Sequence, residues 1–151
     1  MSRIRGRNTT PEKRVRSLLR RLGYRFRSGV KISAGQPHVK GHEKAQKAQK
    51  PKTMEPQRER PLIIRPDMVL VKKRVAIFVH GCFWHRHRGC KNCTTPTHRR
   101  AWWVKKLEGN AARDKLQQRV LRKLGWRAVV VWECQTEKPQ RLERLLTANL
   151  R

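Results

Sequence analysis

The sequence predicts an α/β protein, built as one domain around a small mixed sheet that is flanked by helices. Its length of 151 residues fits a single domain, and the 36% hydrophobic content suffices for one modest core. Helix-like and strand-like patterns alternate along the chain, in the manner of mixed α/β domains. We therefore expect residues 1–151 to form one domain, interrupted by an insertion at about 29–61.

The first predicted element is an amphipathic helix with clear start and stop signals. Thr9 or Thr10 can cap its N-terminus, Pro11 suits its first turn, and Gly23 ends it. A short strand over residues 24–27 is expected to follow. The apolar side chains that share one face of the helix are Val15, Leu18, Leu19 and Leu22.

The composition changes from about residue 29 to residue 61. This stretch contains few apolar residues and includes the tandem sequence KAQKAQKPK. Such a segment cannot bury enough apolar surface to offset the entropy that it would lose on ordering. We therefore expect a disordered basic insertion inside the domain, which is an unusually long loop for a compact fold.

Order is predicted to resume with a hairpin and to continue to a closing helix. Apolar runs at 68–71 and 75–79 flank a Lys-Lys-Arg turn, and residues 99–124 have helical periodicity. The segment WRAVVVWEC predicts a buried strand, and KPQRLERLLTANL predicts a final helix. Trp126 and Trp132 are expected in the core. The predicted inward positions of the long helix are Trp103, Leu107, Ala111, Leu116, Val120 and Leu124.

The net charge narrows the choice of partners. Thirty-nine Lys and Arg residues against ten Asp and Glu residues give a formal net charge of +29. Such a charge favours a polyanion as the binding partner, and nucleic acid is the default polyanion. No apolar run is long enough to span a membrane, and the N-terminus lacks the apolar region of a signal peptide. We therefore expect a cytoplasmic, nucleoid-associated protein with no membrane partner.

One short stretch, VHGCFWHRHRGCKNC at residues 79–93, concentrates the soft metal ligands. It holds three of the four cysteines and three of the six histidines. In a reducing compartment such thiols are more typical of metal ligation than of disulfides, and zinc takes four nitrogen or sulfur ligands. The candidates outnumber the four places, and free buried thiols are the alternative. The candidate ligands are Cys82, His87, Cys90, Cys93 and Cys134.

A second group of residues suggests hydrolytic chemistry. Asp67 follows Pro66 beside a predicted strand, in a chain with only two aspartates. It is either a structural ion-pair partner of an arginine or a ligand of Mg²⁺, which binds hard oxygen atoms. His80 and His85 bracket the next turn. Each is either a structural histidine or a general base that activates water.

The aromatic and basic residues of the same stretch are suited to contact DNA. Phe83 and Trp84 would ordinarily be core residues, but on a metal-fixed turn of a basic protein they can wedge between base pairs. We favour the wedge. Nearby basic residues are either merely solvated or bind phosphates, and the net charge favours the second role. These residues are Arg86, Arg88, Lys91, Arg99, Arg100, Lys105 and Lys106.

Three segments together resemble the very short patch repair endonucleases. They are RPDMVLVKKRVAIFVHGCFWHRH, GWRAVVVWEC and MSRIRGRNTTPE, and the likeness covers nearly the whole chain outside about 29–64. The resemblance implies a restriction-endonuclease-like core, a structural zinc site and a DNA mismatch endonuclease that depends on Mg²⁺. It also implies a nick on the 5′ side of the T in a T:G mismatch, which arises when a methylated cytosine is deaminated.

The resemblance further implies catalytic, metal-binding and DNA-binding roles for individual residues. Asp67 matches a Mg²⁺ ligand, and Val79 stands where a main-chain carbonyl supplies the second protein ligand. His80 matches a histidine that orders water at the metal, His85 matches the general base, and Glu12 matches a supporting glutamate. The residues that match zinc ligands are Cys82, His87, Cys90 and Cys134, and those that match intercalating residues are Phe83, Trp84 and Met1.

The implied partner is double-stranded DNA with a T:G mismatch, with other mismatch-repair proteins as further partners, and the enzyme is expected to act as a monomer. Three features depart from the family pattern: the long basic stretch before Pro66, the place of Met1 as the initiator, and the additional thiol of Cys93. These departures leave an alternative hypothesis, which is a zinc-stabilised DNA-binding remnant of the family with impaired catalysis.

Overall fold

The computed structural model describes residues 8–34 and 61–151, and within them the predicted mixed α/β class is confirmed. The helices of this part of the chain are α1 (Thr10–Arg21), α2 (Arg100–Lys123) and α3 (Pro139–Leu150). Its strands are β1 (Ile32–Ala34), β2 (Leu62–Ile64), β3 (Met68–Leu70), β4 (Val75–His80) and β5 (Arg127–Trp132). None of the helices described here is long and apolar enough to cross a membrane.

The central sheet has three strands in the order β3-β4-β5. β3 pairs antiparallel with β4, whereas β5 runs parallel to β4. The strands β1 and β2 form a separate antiparallel ribbon. These pairings bring the end of β4, the end of β5 and the start of β3 to one side of the sheet. We call this side, which carries Asp67, His80 and Trp132, the C-terminal edge.

The helix α1 forms where the sequence supplies its cap. Thr9 is extended and forms a capping box with Glu12, in which each side chain accepts a bond from the other residue's main-chain N–H. Val15, Leu18 and Leu19 are buried and pack, together with α3, against the sheet. The predicted first helix is therefore confirmed, and its cap holds the Glu12 side chain in place.

The predicted hairpin is also confirmed, although its strand limits differ slightly. The turn is a short 3-10 helix over Val71–Lys73, so β3 ends one residue earlier and β4 one residue later than the apolar runs indicate. Arg74 then adopts a left-handed conformation with φ of 51°. Its guanidinium donates to the Leu124 carbonyl at 3.0 Å, which ties the turn to the end of α2.

The sheet buries apolar side chains against helices through two core clusters. One cluster joins it to α1 and α3, and the other joins it to the C-terminal half of α2 and to the ribbon. Trp126 packs against the second cluster, as predicted. Leu107 is buried, but Leu116 is 47% exposed, so its predicted inward position was wrong. The two residues lie about two and a half turns apart, hence on opposite sides of the helix.

The strand predicted for residues 24–27 is reduced to one isolated antiparallel bridge between Arg27 and Val69. The start of the segment is used instead to close α1, because the Tyr24 N–H donates to the Leu19 carbonyl at 2.9 Å. A main-chain group engaged in a helix end cannot also pair in a sheet. The segment therefore lies along β3 without extending the sheet over its full length.

The stretch predicted as an insertion is ordered at its start. Ile32–Ala34 form β1, and Ile32 is buried opposite Ile64 of β2. An apolar partner across the ribbon explains why these residues are ordered despite the polar composition around them. Residues 35–60, which make up most of the predicted insertion, and Met1 lie outside the described residues.

Candidate active site and metal centre

Asp67 lies at the C-terminal edge because the hairpin register puts it there. Its main-chain N–H donates to the Ile77 carbonyl at 3.0 Å, and its carboxylate accepts from the Val79 N–H at 2.7 Å. His80 follows Val79 in the chain and is the last residue of β4. Strand pairing therefore brings the predicted metal-binding carboxylate next to a predicted active-site histidine.

These residues open onto a cavity of about 860 Å³, which we call the front cavity. The predicted site residues that line it are Glu12, Asp67, Val79, His80, Trp84 and His85. Further charged residues of its wall are Arg65, Arg113, Asp114 and Glu133. The start of α1, the strand ends and the middle of α2 thus bring every predicted catalytic residue to a single cavity.

Two of the four carboxylates that line the front cavity, those of Asp67 and Glu12, lie close enough to repel each other. Burial raises the pKa of Asp67, the Val79 N–H lowers it, and the nearby Glu12 raises it again. Glu12 is only 6% exposed, and Arg16 donates to its carboxylate at 2.6 Å. A divalent cation relieves such repulsion, and Mg²⁺ is typically held by one or two carboxylates together with water and phosphate. The carboxylate and carbonyl oxygens present here fit Mg²⁺.

The two histidines form a stacked pair with different surroundings. Their ring centroids are 3.9 Å apart, and their planes differ by 8°. Burial lowers the pKa of His80 to about 4, with a further contribution from His85. His80 is therefore neutral at neutral pH. The Nδ1 of His85 lies 2.6 Å from a carboxylate oxygen of Asp114. Because an ionised carboxylate only accepts, Nδ1 is the donor and Nε2 can accept a proton.

Sequence reasoning missed Asp114 and Glu133. Asp114 is the second of the two aspartates, which was the available signal, but its place on α2 does not show that it faces His85, 29 positions away. Glu133 directly follows β5, and its carboxylate accepts from the Cys82 N–H at 3.3 Å. Glu133 therefore connects the front cavity to the cysteine-rich turn.

The cysteine-rich turn and the end of β5 build a candidate metal centre. The ligand atoms of its four residues all lie within 4.8 Å of one another, and the residues are Cys82, His87, Cys90 and Cys134. The Nδ1 of His87 is 3.5 Å from the sulfur of Cys82 and 3.5 Å from that of Cys134. Tetrahedral zinc, with bonds of about 2.3 Å to sulfur and 2.0 Å to nitrogen, separates such atoms by about 3.5 Å. The four side chains fit a zinc ion.

Four of the five candidate zinc ligands lie together in the structure. Cys93 is not part of the group, and Cys134 joins it because β5 runs parallel to β4. Burial raises the pKa of the Cys82 thiol to about 12. A bound cation offsets this penalty, because the thiolate is the form that ligates metal. The His87 ring is fixed by Trp132, which stacks on it at 4.2 Å.

The predicted wedge residues belong to a larger group, the aromatic cluster, formed by Phe83, Trp84, Trp102 and Trp103. Phe83 meets Trp84 edge to face at 5.0 Å and Trp103 at 5.4 Å between ring centroids. Trp102 is 49% exposed, with the Lys106 ammonium 4.6 Å from its ring centroid. Trp103 is only partly buried and belongs to neither core cluster, so its predicted core position was wrong.

The two basic residues of the turn with a predicted DNA role have different surroundings. Arg86 donates to the Glu108 carboxylate at 3.1 Å in an exposed ion pair. Exposed ion pairs of this kind contribute little to the stability of the fold, so the Arg86 guanidinium can leave Glu108 and bind another anion at little cost. Arg88 is exposed and lines a second cavity, next to the zinc-type ligand His87. Both guanidinium groups are thus accessible to a phosphate backbone.

These features define a class of protein. It is a strongly basic α/β protein in which carboxylates and histidines suited to a divalent cation lie beside a cysteine-histidine centre. The combination is typical of metal-dependent enzymes that act on nucleic acid. The family model described as DNA mismatch endonuclease Vsr matches residues 1–54 and 56–92, more than half of the chain. The chain therefore belongs to the Vsr family of DNA endonucleases.

Curated relatives show the same membership. The chain is 37% identical over 146 residues to the type II nicking enzyme V.XorIIP of Xanthomonas oryzae pv. oryzae, covering 97% of this chain and 85% of that relative. It is 40% identical over 87 residues to the DNA mismatch endonuclease Vsr of Escherichia coli strain K12, a match that covers 57% of this chain and 55% of that relative. It is 29% identical over 150 residues to the type II nicking enzyme V.NmeAIP of Neisseria meningitidis serogroup A, covering 97% and 86%.

The family match also runs through residues 35–54, within the stretch that the sequence analysis interprets as an insertion. The likeness to the family is therefore wider than the three motif segments alone.

Proposed function

We propose that the protein is a Mg²⁺-dependent endonuclease that nicks duplex DNA on the 5′ side of the T in a T:G mismatch, as in very short patch repair. The observation that carries this proposal is the convergence of Glu12, Asp67, His80 and His85 on the front cavity. Family membership supports it, because relatives carry the names DNA mismatch endonuclease and nicking enzyme. The net charge of +29 suits a phosphodiester substrate.

Asp67 and the main-chain carbonyl of Val79 are the groups that would hold Mg²⁺, with Glu12 as a supporting carboxylate beside them. When bound, the ion supplies positive charge that stabilises the phosphate in the transition state. The Val79 N–H keeps the Asp67 carboxylate oriented, at 2.7 Å, and Arg16 keeps that of Glu12 oriented, at 2.6 Å. The carboxylates are therefore held in place before a substrate arrives.

His85 is the proposed general base. Its Nδ1–H is directed to Asp114 at 2.6 Å, which leaves Nε2 to take a proton from the attacking water. The buried His80 ring stacks on it at 3.9 Å and limits its rotation. Asp114 is in this proposal a positioning residue, because it acts through the orientation of His85, whereas His80 is proposed in addition to order water at the metal.

The cysteine-histidine centre is proposed to hold a structural zinc ion, with Cys82, His87, Cys90 and Cys134 as ligands. Phe83 and Trp84 lie between the first two of these ligands, so zinc would fix the turn that presents them. Their insertion beside the mismatch would unstack a base step, and Met1, outside the described residues, is proposed as a third inserted residue. Arg86 and Arg88 are proposed to bind phosphates.

The proposal is tested by a nicking assay on two duplexes that are identical except for one position. One duplex carries a T:G mismatch and the other a C:G pair, and each is incubated with Mg²⁺ or with EDTA. We expect one nick, next to the mismatched T, only in the T:G duplex and only with Mg²⁺. Absence of this nick, with zinc retained and DNA binding that weakens with salt, would instead support the DNA-binding remnant.

Asp114→Asn is expected to lower the nicking rate by about 10²- to 10⁴-fold, the usual contribution of a general base. An amide can donate to the imidazole and stabilise the tautomer whose Nε2 cannot accept a proton. The measurement is single-turnover nicking as a function of pH, together with affinity for the T:G duplex, which we expect to remain within about threefold of the wild type because the amide has the same size as the carboxylate and Asp114 is not one of the proposed DNA-contacting residues.

The matched control is Glu143→Gln, which makes the same change of a carboxylate to an amide in an exposed ion pair with Arg21 on the α3 side of the domain. This variant is expected to nick at the wild-type rate. If Asp114→Asn does so as well, the proposed role of Asp114 is wrong.

A further inference from the structure

A further concave surface lies at the opposite end of the sheet from the front cavity. It is a groove of about 610 Å³ between the segment that follows α1 and the β3–β4 turn, and we call it the rear groove. Arg25 and Arg27 line one side, and Lys72 and Lys73 line the other. All four of these residues are exposed. None of the predicted site residues belongs to it.

The positive charge of the rear groove is not offset by nearby carboxylates. The described ranges contain seven acidic residues, and none of them lines the groove. Several are engaged elsewhere: Glu12 with Arg16, Asp114 with His85, and Glu143 with Arg21. A concave surface that gathers cations without acids attracts polyanions, and the charge also repels itself until an anion binds.

The rear groove has an aromatic floor, formed by Tyr24 and Phe26. The Lys73 ammonium lies 5.8 Å from the ring centroid of Tyr24, and the guanidinium of Arg20, which lies outside the groove, is 5.5 Å from that of Phe26. Both rings pack against the first core cluster. The bridge between Arg27 and the strand β3 fixes the other wall, with hydrogen bonds of 2.9 and 2.8 Å. Cations placed in this way lose less conformational entropy when they bind a ligand.

The position of the rear groove decides which polyanion it can take. The strand β4 has six residues and separates the turn from the C-terminal edge by about 20 Å, at roughly 3.3 Å per residue. Duplex DNA is stiff, with a persistence length of about 50 nm, and sharp bending costs several kcal/mol. A duplex bound at the front cavity would therefore have to wrap around the domain to reach the rear groove.

We infer that the rear groove binds the phosphate backbone of a second DNA duplex, so that one protein molecule can hold two duplex segments at once. The inference rests on the proposed function in so far as the first segment occupies the front cavity. A protein with two such surfaces can pass from one segment to another without first being released into solution. This gives it a means of searching DNA for rare mismatches.

The inference is tested by a capture experiment with charge-reversed variants. Protein is bound, without added Mg²⁺, to an immobilised T:G duplex, and the amount of a labelled matched duplex retained from solution is measured. The variant is Lys72→Glu with Lys73→Glu, and the control is Arg119→Glu with Arg144→Glu, which makes the same charge change at exposed positions outside both cavities. Melting curves establish that both variants are folded, and Arg25→Glu serves as an independent single change.

We expect the double variant, unlike the control, to capture the second duplex much more weakly than the wild type, with the slope of log affinity against log salt reduced by about 2 for two lost phosphate contacts, and Arg25→Glu to weaken capture as well. Nicking of the T:G duplex is expected to stay within about twofold of the wild type, since the front cavity is untouched. Equal capture by the wild type and the rear-groove variants would overturn the inference. So would a sedimentation result showing that two protein molecules bridge the duplexes.

The two proposals fail in different ways. If the wild type captures a second duplex but does not nick the T:G substrate, the proposed function fails and the rear groove stands. If it nicks but the rear-groove variants capture DNA as well as the wild type does, the proposed function stands and the rear groove fails.

Discussion

Asp67→Ala is expected to abolish nicking and to leave binding to the T:G duplex largely intact. The variant loses the carboxylate that lies closest to the Val79 main chain and that is proposed to bind Mg²⁺. Because a bound metal stabilises the transition state by several kcal/mol, we expect the nicking rate to fall by about a thousandfold or more. Single-turnover nicking and an equilibrium binding titration on the same duplex measure the two effects separately.

The same variant makes a prediction about stability that separates a functional carboxylate from a structural one. Burial raises the pKa of Asp67, so the folded protein pays a free-energy penalty for its charged form. Removing the carboxylate should therefore leave the melting temperature unchanged or raise it. A variant that still cleaves at the wild-type rate would refute the proposed metal ligand, and one that unfolds would indicate a structural ion pair instead.

Cys134→Ser is expected to release zinc and to unfold the domain. Structural zinc in small proteins contributes about 10–16 kcal/mol of binding free energy, which is comparable to the whole stability of a typical domain. Cys134 is the ligand that joins the end of β5 to the turn after β4, so its loss would also weaken the packing of the sheet ends. Zinc content and a circular dichroism melting curve are the measurements.

The chain offers a matched control for this change. Cys93→Ser alters a thiol of the same turn that is not part of the four-residue group, and it is expected to keep both zinc and the wild-type melting curve. If Cys134→Ser also keeps its zinc and its melting temperature, the group is not a structural metal centre.

Most elements of the fold could be predicted from signals that lie within a few residues of one another in the sequence. The cap at Thr9, the Lys-Lys-Arg turn and the β-branched run of β5 each act over a few residues, and the elements they predict are present. The predictions that failed required tertiary information. Leu116 repeats at near-helical spacing but lies on the outer side of α2, and Trp103 is apolar but packs against Phe83 and Trp84 in the aromatic cluster.

The candidate site divides in the same way. The cysteines and histidines of the turn were conspicuous because their spacing is short, Asp67 because the chain has only two aspartates, and the resemblance to a family supplied the role of Glu12. Asp114 and Glu133 were missed because their meaning depends on which side chain they face. A carboxylate on a basic helix is compatible with an exposed ion pair, and only packing brings Asp114 to His85 at 2.6 Å.

The parallel pairing of β4 with β5 has a consequence for biosynthesis. A growing chain leaves the ribosome from its N-terminus, so Asp67 and the cysteine-rich turn emerge well before β5 and Cys134. Until then β4 has no parallel neighbour, His80 has no partner in Trp132, and the fourth metal ligand is missing. A nascent chain therefore cannot complete the cysteine-histidine centre, or the packing of His80 against Trp132, before β5 has been made.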